Sequence, residues 1–209
     1  MAIGRQLQDV EAIILTHAHA DHMGFIERLR RETGAPVYVH EADAKAAQRQ
    51  LQLPWATLLI NAWHPYVAGM LTHATRNGIF VMPPIARVQT VTDGVRLDVP
   101  GRPTIIHTPG HTPGQIVLRL AATSIILAGD ALITRNILRG TGDTPQLAAS
   151  GLNSCSHQAQ RSLNQLAGMG RVALLTGHGP AWRGDMDEAI AGARTRSATS
   201  TVKGRHRHV

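Results

Sequence analysis

An apolar run that passes directly into a cluster of polar side chains is the strongest constraint in this sequence. Residues 14–25 read ILTHAHADHMGF, in which three histidines and one aspartate fall within six residues. The apolar run, Ala12–Thr16, has the length and composition of a buried strand. Apolar residues then recur at three-residue steps, which predicts a helix over His22–Arg31 that ends at Gly34. The chain must therefore turn from a strand into a helix where these polar side chains are concentrated.

The first third of the chain alternates between strand and helix patterns. A second β-like run, Val37–Val39, precedes a helical pattern at Glu41–Leu51. This alternation is typical of an α/β layered architecture. Further along, apolar runs end in polar residues three more times, in TIIHTPGHTPG, SIILAGD and VALLTGHG. Each run places a histidine or an aspartate beside a glycine, which permits a tight turn.

Two segments differ from this pattern. Residues 53–80 have weak periodicity and contain four of the seven aromatic residues. Core packing, a dimer contact and a lid over a site all remain open for this segment. Residues 196–209 lack an apolar period and are basic, which predicts a disordered tail after one domain over residues 1–195. The formal net charge is +7, and because much of the excess lies near this tail, a nucleic acid partner is not expected.

Cysteine content and hydropathy indicate the compartment. The single cysteine, Cys155, can form no internal disulfide and suits a reducing environment. No apolar run approaches the length of a membrane span, and the first residues lack the layout of a signal peptide. We therefore predict a cytoplasmic protein without a membrane partner.

The types of polar residue in the first cluster indicate metal binding. Imidazole and carboxylate groups are common ligands of zinc. A strand that ends at Thr16 lets His17 and His19 point the same way, and the turn into the helix brings Asp21 and His22 toward a neighbouring point. One short segment can therefore supply ligands to two adjacent ions, so the predicted centre is dinuclear.

The ordered motifs T-H-A-H-A-D-H, P-G-H-T-P-G, A-G-D and G-H-G resemble those of the metallo-β-lactamase superfamily over roughly Val10–Ala193. The resemblance implies an α/β fold, an αββα sandwich with the site at one edge of its two sheets. His107 lies within the strand run TIIH and is interpreted as structural. The resemblance implies seven metal ligands: His17, His19 and His111 for one ion, Asp21, His22 and His178 for the other, and Asp130 as the bridge between them.

The sequence departs from the family pattern before the first motif. Relatives usually carry several β-strands there, whereas 16 residues precede His17. We therefore expect a sandwich that lacks some N-terminal strands and exposes a sheet edge, which favours self-association into a homo-oligomer. Because 31 residues follow His178, we expect neither the helical domain of glyoxalase II-like hydrolases nor the inserted nuclease domain of the RNA-processing branches. A stand-alone metallo-hydrolase is the remaining expectation.

The predicted reaction is hydrolysis of a small-molecule carbonyl substrate, which is an ester, thioester, lactone or lactam. Two close Zn²⁺ ions, with iron or manganese as alternatives, would lower the pKa of a shared water and provide hydroxide at neutral pH. Asp21 is expected to be catalytic by orienting that hydroxide or moving its proton. Two alternatives stay open: a single-iron dioxygenase of the persulfide type, and a truncated relative that binds metal without catalysis.

Overall fold

Two β-sheets form the centre of the molecule. The computed structural model describes residues 4–49, 55–78 and 82–205. The first sheet is parallel, in the order β1 (Ile13–Ile14), β2 (Val37–His40), β3 (Gln89–Val91). The second sheet has the order β4 (Thr104–His107), β5 (Ile116–Leu120), β6 (Ile125–Gly129), β7 (Arg171–Thr176), β8 (Trp182–Asp185). Only β6 and β7 are parallel neighbours in the second sheet.

Seven α-helices connect these strands within the described residues. In chain order they are α1 (Ala20–Met23), α2 (Ile26–Thr33), α3 (Glu41–Ala47), α4 (Trp55–Ile60), α5 (Pro65–Arg76), α6 (Ser156–Ser162) and α7 (Met186–Arg205). The left-handed conformation of Gly34, with φ of 73°, ends α2 where the sequence predicts. None of the helices in these ranges is long and apolar enough to cross a membrane.

Helices cover the outer face of the first sheet. Alternate residues of its strands, such as Val37 and Val39, are 1% and 0% exposed and share a core with α2 and α3. This alternation follows from the two-residue period of a strand, which sends every second side chain to the same face. The helices contribute Ile26 and Ala47 to the same core.

The inner faces of the two sheets pack on each other, and the outer face of the second sheet packs on α7. Ile14 and Tyr38 from the first sheet contact a buried cluster that includes Ile105 of β4. On the far side, Leu174 of β7 shares a core with Ile190 of α7. The order of layers is therefore helix, sheet, sheet, helix, which confirms the expected αββα sandwich.

One buried carboxylate belongs to this framework alone. Glu27 of α2 is 2% exposed and accepts hydrogen bonds from the guanidinium groups of Arg30 and Arg31 and from the backbone N–H of Ala86. The hydrogen bond from Arg30 lowers the pKa of Glu27 to about 2, against the effect of burial. Glu27 therefore stays ionised at neutral pH and fastens α2 to the loop before β3.

The structure differs from the sequence expectations in several elements. The predicted helix over His22–Arg31 divides into α1 and α2. Strand β8 was not predicted, because its residues show no clear apolar pattern. Residues 53–80 contain α4 and α5, whose periodicity is weak because many of their side chains remain exposed.

The last helix, α7, extends into the residues that the sequence assigns to a basic tail. Helix α7 continues to Arg205, and residues 206–209 lie outside the described residues. The first half of α7 packs on β7, so the helix is already nucleated there. Adding residues to a helix that has already formed requires far less free energy than forming its first turn. No proline follows Met186, so no residue of this type interrupts the helix.

Candidate metal centre

The first cluster of polar side chains lies where β1 passes into α1. The backbone N–H of Leu15 still donates to the carbonyl of Tyr38 in β2, and the chain then turns so that the His19 carbonyl accepts the N–H groups of His22 and Met23 in α1. His17 is fully buried, His19 is partly buried, and Asp21 is 48% exposed on the first turn of the helix. The strand end and the helix start thus direct these side chains into one region, as the sequence predicts.

The other candidate residues lie at the same edge of the sandwich. His111 follows β4, Asp130 follows β6, and His178 follows β7. Strands β4 and β6 run in the same direction, because β5 lies between them and is antiparallel to both. Strand β7 has this direction too, because it is parallel to β6. The ends of all three therefore meet at one edge. The carbonyl of Thr16 accepts the N–H of Ile116 in a 2.9 Å hydrogen bond, which brings the first sheet to this edge.

Asp130 lies at the centre of the assembled residues and is 2% exposed. Its two carboxylate oxygens face different histidines. Oδ2 lies 3.3 Å from Nε2 of His111, 3.3 Å from Nε2 of His178 and 4.0 Å from Nε2 of His17, and Oδ1 lies 3.6 Å from Nε2 of His22. This placement suits a carboxylate that contacts two neighbouring ions.

The candidate ligand atoms fall into three overlapping groups, each with its atoms within 4.8 Å of one another. They are His17, His19 and His111; His17, His22 and Asp130; and Asp21, His22 and His178. In the last group, Oδ2 of Asp21 lies 3.1 Å from Nε2 of His178 and 3.6 Å from Nε2 of His22. The structure thus brings all seven predicted residues together, and its first and last groups contain the same residues as the two sets that the resemblance implies.

Three buried polar atoms bear on whether the candidate residues could bind a metal ion. Nε2 of His17, Nε2 of His111 and Oδ1 of Asp130 are buried and have no hydrogen-bond partner among the described residues. A buried polar atom without a partner is costly, so such atoms in a native fold call for an explanation. Histidine nitrogens and carboxylate oxygens are ligands that zinc accepts. A metal ion at this point would satisfy all three atoms.

Asn153 fixes which nitrogen of His111 faces the site. The Asn153 amide nitrogen donates to the carbonyl of Ala148, so its Oδ1 faces Nδ1 of His111 at 2.9 Å. An amide oxygen only accepts, hence Nδ1 of His111 carries the proton and Nε2 presents a lone pair. A contact of this kind orients a metal-binding histidine.

Burial and neighbouring histidines keep His17 and His19 neutral. Burial, followed by the neighbouring His22, lowers the pKa of His17 well below its ordinary value. Burial and the neighbouring His111 lower the pKa of His19 to about 4. Both rings are therefore unprotonated at neutral pH, which is the state that binds metal.

The opposite side of the cluster is anionic. For Asp130, burial favours a higher pKa, but its close contacts with His178 and His22 outweigh that effect, and the net pKa is well below the ordinary value. For His178, burial favours a lower pKa, but hydrogen bonds to Asp130 and Asp21 raise it to about 10. A protonated His178 therefore occupies this side in the absence of an ion, and a metal must displace that proton to bind.

Histidines outside the seven have other contacts. His107 belongs to β4, its Nε2 lies 2.9 Å from the carbonyl oxygen of Pro113, and its ring stacks on that of His40. The ring nitrogens of His40 and His64 accept N–H groups at the starts of α3 and α5. Cys155 is exposed at the start of α6. None of these residues belongs to the three groups of candidate metal ligands found among the described residues.

Sequence reasoning missed the residues that support the site. Gln115 is fully buried; its amide nitrogen donates to the carbonyls of Ile116 and Ala128, and its oxygen faces the N–H of Asp130. Gly177 precedes His178, and a Cβ there would overlap Oδ1 of Asp130. Only the glycine could have been suspected from sequence, because it flanks a candidate ligand.

Part of segment 53–80 contacts the rim of the centre. The hydroxyl of Thr57 on α4 donates to the carbonyl of Gly151 in a 2.8 Å hydrogen bond, two residues before Asn153. Leu59, Ile60 and Trp63 are 68%, 72% and 80% exposed. Helix α4 thus contacts the loop before Asn153, and Leu59 and Ile60 on this helix are exposed.

Comparison with known proteins identifies relatives of the chain. A family model described as the metallo-beta-lactamase superfamily matches residues 1–181. The probable metallo-hydrolase YflN of Bacillus subtilis (strain 168) is 31% identical over 176 residues, which are 81% of this chain and 64% of that protein. An uncharacterized protein of Mycobacterium leprae, ML0493, is 35% identical over 131 residues, which are 61% of this chain and 53% of that protein. The chain thus spans less than two thirds of the length of both relatives.

Solved structures give the same result for the fold. A metallo-beta-lactamase family protein of Thermus thermophilus, TTHA1429, aligns with a TM-score of 0.60 at 24% identity, over 96% of this chain and 64% of that one. TTHA1623 in a di-iron-bound form aligns with a TM-score of 0.52 at 25% identity, over 83% of this chain and 72% of that one. The resemblance that the motifs indicate is therefore confirmed.

Proposed function

The chain belongs to the metallo-beta-lactamase superfamily, and from that premise we propose that it is a hydrolase that cleaves small carbonyl substrates at a two-metal centre. Several of its relatives are probable metallo-hydrolases, and its fold and candidate ligand groups agree with that class. The substrate class, the number of ions and their identity are the proposal.

The observation that carries the proposal is the convergence of seven ligand-type side chains around three buried atoms without partners among the described residues. His17, His19 and His111 would hold one ion, and Asp21, His22 and His178 the other. Asp130 would contact both, since its two oxygens face different histidines. The second group has its own three ligands, which favours two ions over the single iron of a dioxygenase.

The donor atoms suggest the metal. All seven residues offer nitrogen or oxygen and none offers sulfur, a set that zinc accepts and that iron and manganese also tolerate. We propose zinc, with iron as the alternative because the related TTHA1623 was solved in a di-iron-bound form. Divalent ions held there would polarise a carbonyl oxygen and lower the pKa of a water molecule.

Asp21 is the proposed catalytic residue of the chain itself. It is 48% exposed, whereas Asp130 is buried, so Asp21 is the carboxylate that faces incoming water and substrate. Burial of its carboxylate favours a higher pKa, but a hydrogen bond with His178 outweighs it and the net pKa is below the ordinary value. Asp21 is therefore ionised at neutral pH, and its carboxylate can orient a water molecule and accept its proton.

The cavity beside the centre indicates the kind of substrate. It has a volume of about 280 Å³, and its wall includes His19, Thr112 and residues 151–154. Among the described residues, no lysine or arginine lines this cavity. Apart from the proposed ions, a phosphodiester would find no cationic side chain in this wall, whereas a neutral ester, thioester or lactone would not need one.

A comparison of four substrates tests this proposal. The zinc-loaded protein is expected to hydrolyse an aryl ester or a lactone with a kcat/KM at least about tenfold above that for an aryl phosphodiester, with a β-lactam as the fourth substrate. The same protein after chelation serves as the control and should lose each activity. A kcat/KM that is highest for the phosphodiester would assign the chain to a nuclease-like activity instead.

A further inference from the structure

Asp43 is a buried carboxylate that lies outside the seven candidate ligands. It occupies the first turn of α3 and is 1% exposed. Three hydrogen bonds reach it from other segments. Its Oδ2 accepts the N–H of Ala18 at 2.9 Å and the hydroxyl of Thr112 at 2.7 Å, and its Oδ1 accepts the N–H of Gly114 at 2.7 Å.

The three donors belong to the two loops that carry His17, His19 and His111. Ala18 lies between the first two histidines, and Thr112 directly follows the third. One carboxylate thus fastens a loop of the first sheet to a loop of the second. A Cβ at Gly114 would lie 2.6 Å from the Cβ of Asp43, so a glycine is required for this approach.

We propose that Asp43 is a positioning residue that holds His17, His19 and His111 at the spacing required by one ion, an inference that rests on the proposed function. The remaining four candidate ligands lie on α1 and after β6 and β7, and none of them is next to a donor to Asp43. Asp43 therefore acts on one half of the centre.

A carboxylate is needed at this position because three donors meet two oxygens. An asparagine in the same place has one carbonyl oxygen and one NH₂ group. Whichever way this amide is oriented, its NH₂ group faces at least one of the three donors that bond to Asp43. At least one buried N–H or O–H group then loses its acceptor, and two donors face each other. The loops must separate to relieve this contact, and the three histidines move with them.

Glu27 provides a matched control within the same chain. Both carboxylates are almost fully buried, and both accept a backbone N–H from a distant loop. The partners of Glu27 are Arg30, Arg31 and Ala86, none of which adjoins a candidate ligand. A purely structural role for Asp43 therefore predicts that the Asn and Gln variants of the two residues behave alike.

Zinc titration of the full chain against a chromophoric chelator tests the inference. Asp43→Asn is expected to weaken one of the two zinc sites by roughly 10- to 100-fold, the usual effect of removing a contact that orients a metal ligand. Glu27→Gln should lower the melting temperature and leave both zinc affinities within about twofold of wild type. The visible spectrum of the Co²⁺-loaded protein should change in Asp43→Asn and not in Glu27→Gln.

Several outcomes overturn the inference. Wild-type affinity at both sites of Asp43→Asn is one, and an equal loss of zinc affinity in Glu27→Gln is another. If Asp43→Asn does not fold, Thr112→Val decides, because it removes one donor and keeps the side-chain shape. A roughly threefold or larger loss at one site supports the inference, and wild-type affinity contradicts it. A wild-type chain that binds no zinc would instead refute the proposed function, which makes the two failures distinguishable.

Discussion

Replacement of Asp130 by alanine is expected to lower kcat/KM by at least about 100-fold, because it removes the carboxylate that faces both halves of the centre. Asp130 is buried, and its oxygens lie within 3.6 Å of His22, His111 and His178. Without this anion, the proposed ions lose a shared ligand and repel each other across a buried cavity. The zinc content of the variant should fall together with its activity.

His107→Ala is the control for this prediction. His107 lies four residues before His111 and its ring is partly buried, yet it belongs to none of the three groups of candidate metal ligands among the described residues. Its loss should cost stability through the stacking contact with His40 and leave kcat/KM within about threefold of wild type. Equal losses of activity in the two variants would show that the roles of the two residues are wrongly assigned.

Removal of the metal is expected to lower the melting temperature by about 10 °C. An ion bound only by the folded state, at a free concentration about 1,000 times its Kd, adds about 4 kcal/mol to the free energy of unfolding. Each kcal/mol shifts the melting temperature of a chain of this size by roughly 2–4 °C. The unpartnered Nε2 atoms of His17 and His111 give the structural reason, because chelation leaves them buried without a ligand.

Thermal unfolding of the zinc-loaded and the chelated protein measures this difference. Adding zinc back to the chelated sample should restore the higher melting temperature. In Asp130→Ala, chelation should have a smaller effect, because the variant has less zinc to lose. Identical unfolding curves for loaded and chelated wild type would contradict the link between the site and the fold.

The local part of the site could be predicted from sequence. The end of a strand leads directly into the start of a helix, and this brings together His17, His19, Asp21 and His22. The spacing of these residues in the sequence is enough to predict that they lie close together. The distant candidates His111, Asp130 and His178 each follow an apolar run, but their selection as ligands rested on the resemblance of the motifs to the metallo-β-lactamase superfamily. The order of the four motifs along the chain identified these distant candidates, which hydrophobic periodicity alone does not identify.

The supporting residues could not be predicted, because their roles depend on contacts between distant segments. Asn153 meets His111 across 42 residues, and Asp43 meets Gly114 across 71 residues. Neither residue type stands out in its own segment. The same limit applies to β8, which becomes a strand by pairing with β7 and not through an apolar pattern of its own.

The metal content of the purified, zinc-loaded chain tests the two-metal centre most directly. Seven ligand-type side chains exceed the four that one tetrahedral site uses, and they form separate groups around His111 and around His178. Elemental analysis combined with a zinc titration should therefore give two ions per chain. A stoichiometry of one, with no weaker second site at higher zinc concentration, would contradict the two-metal account.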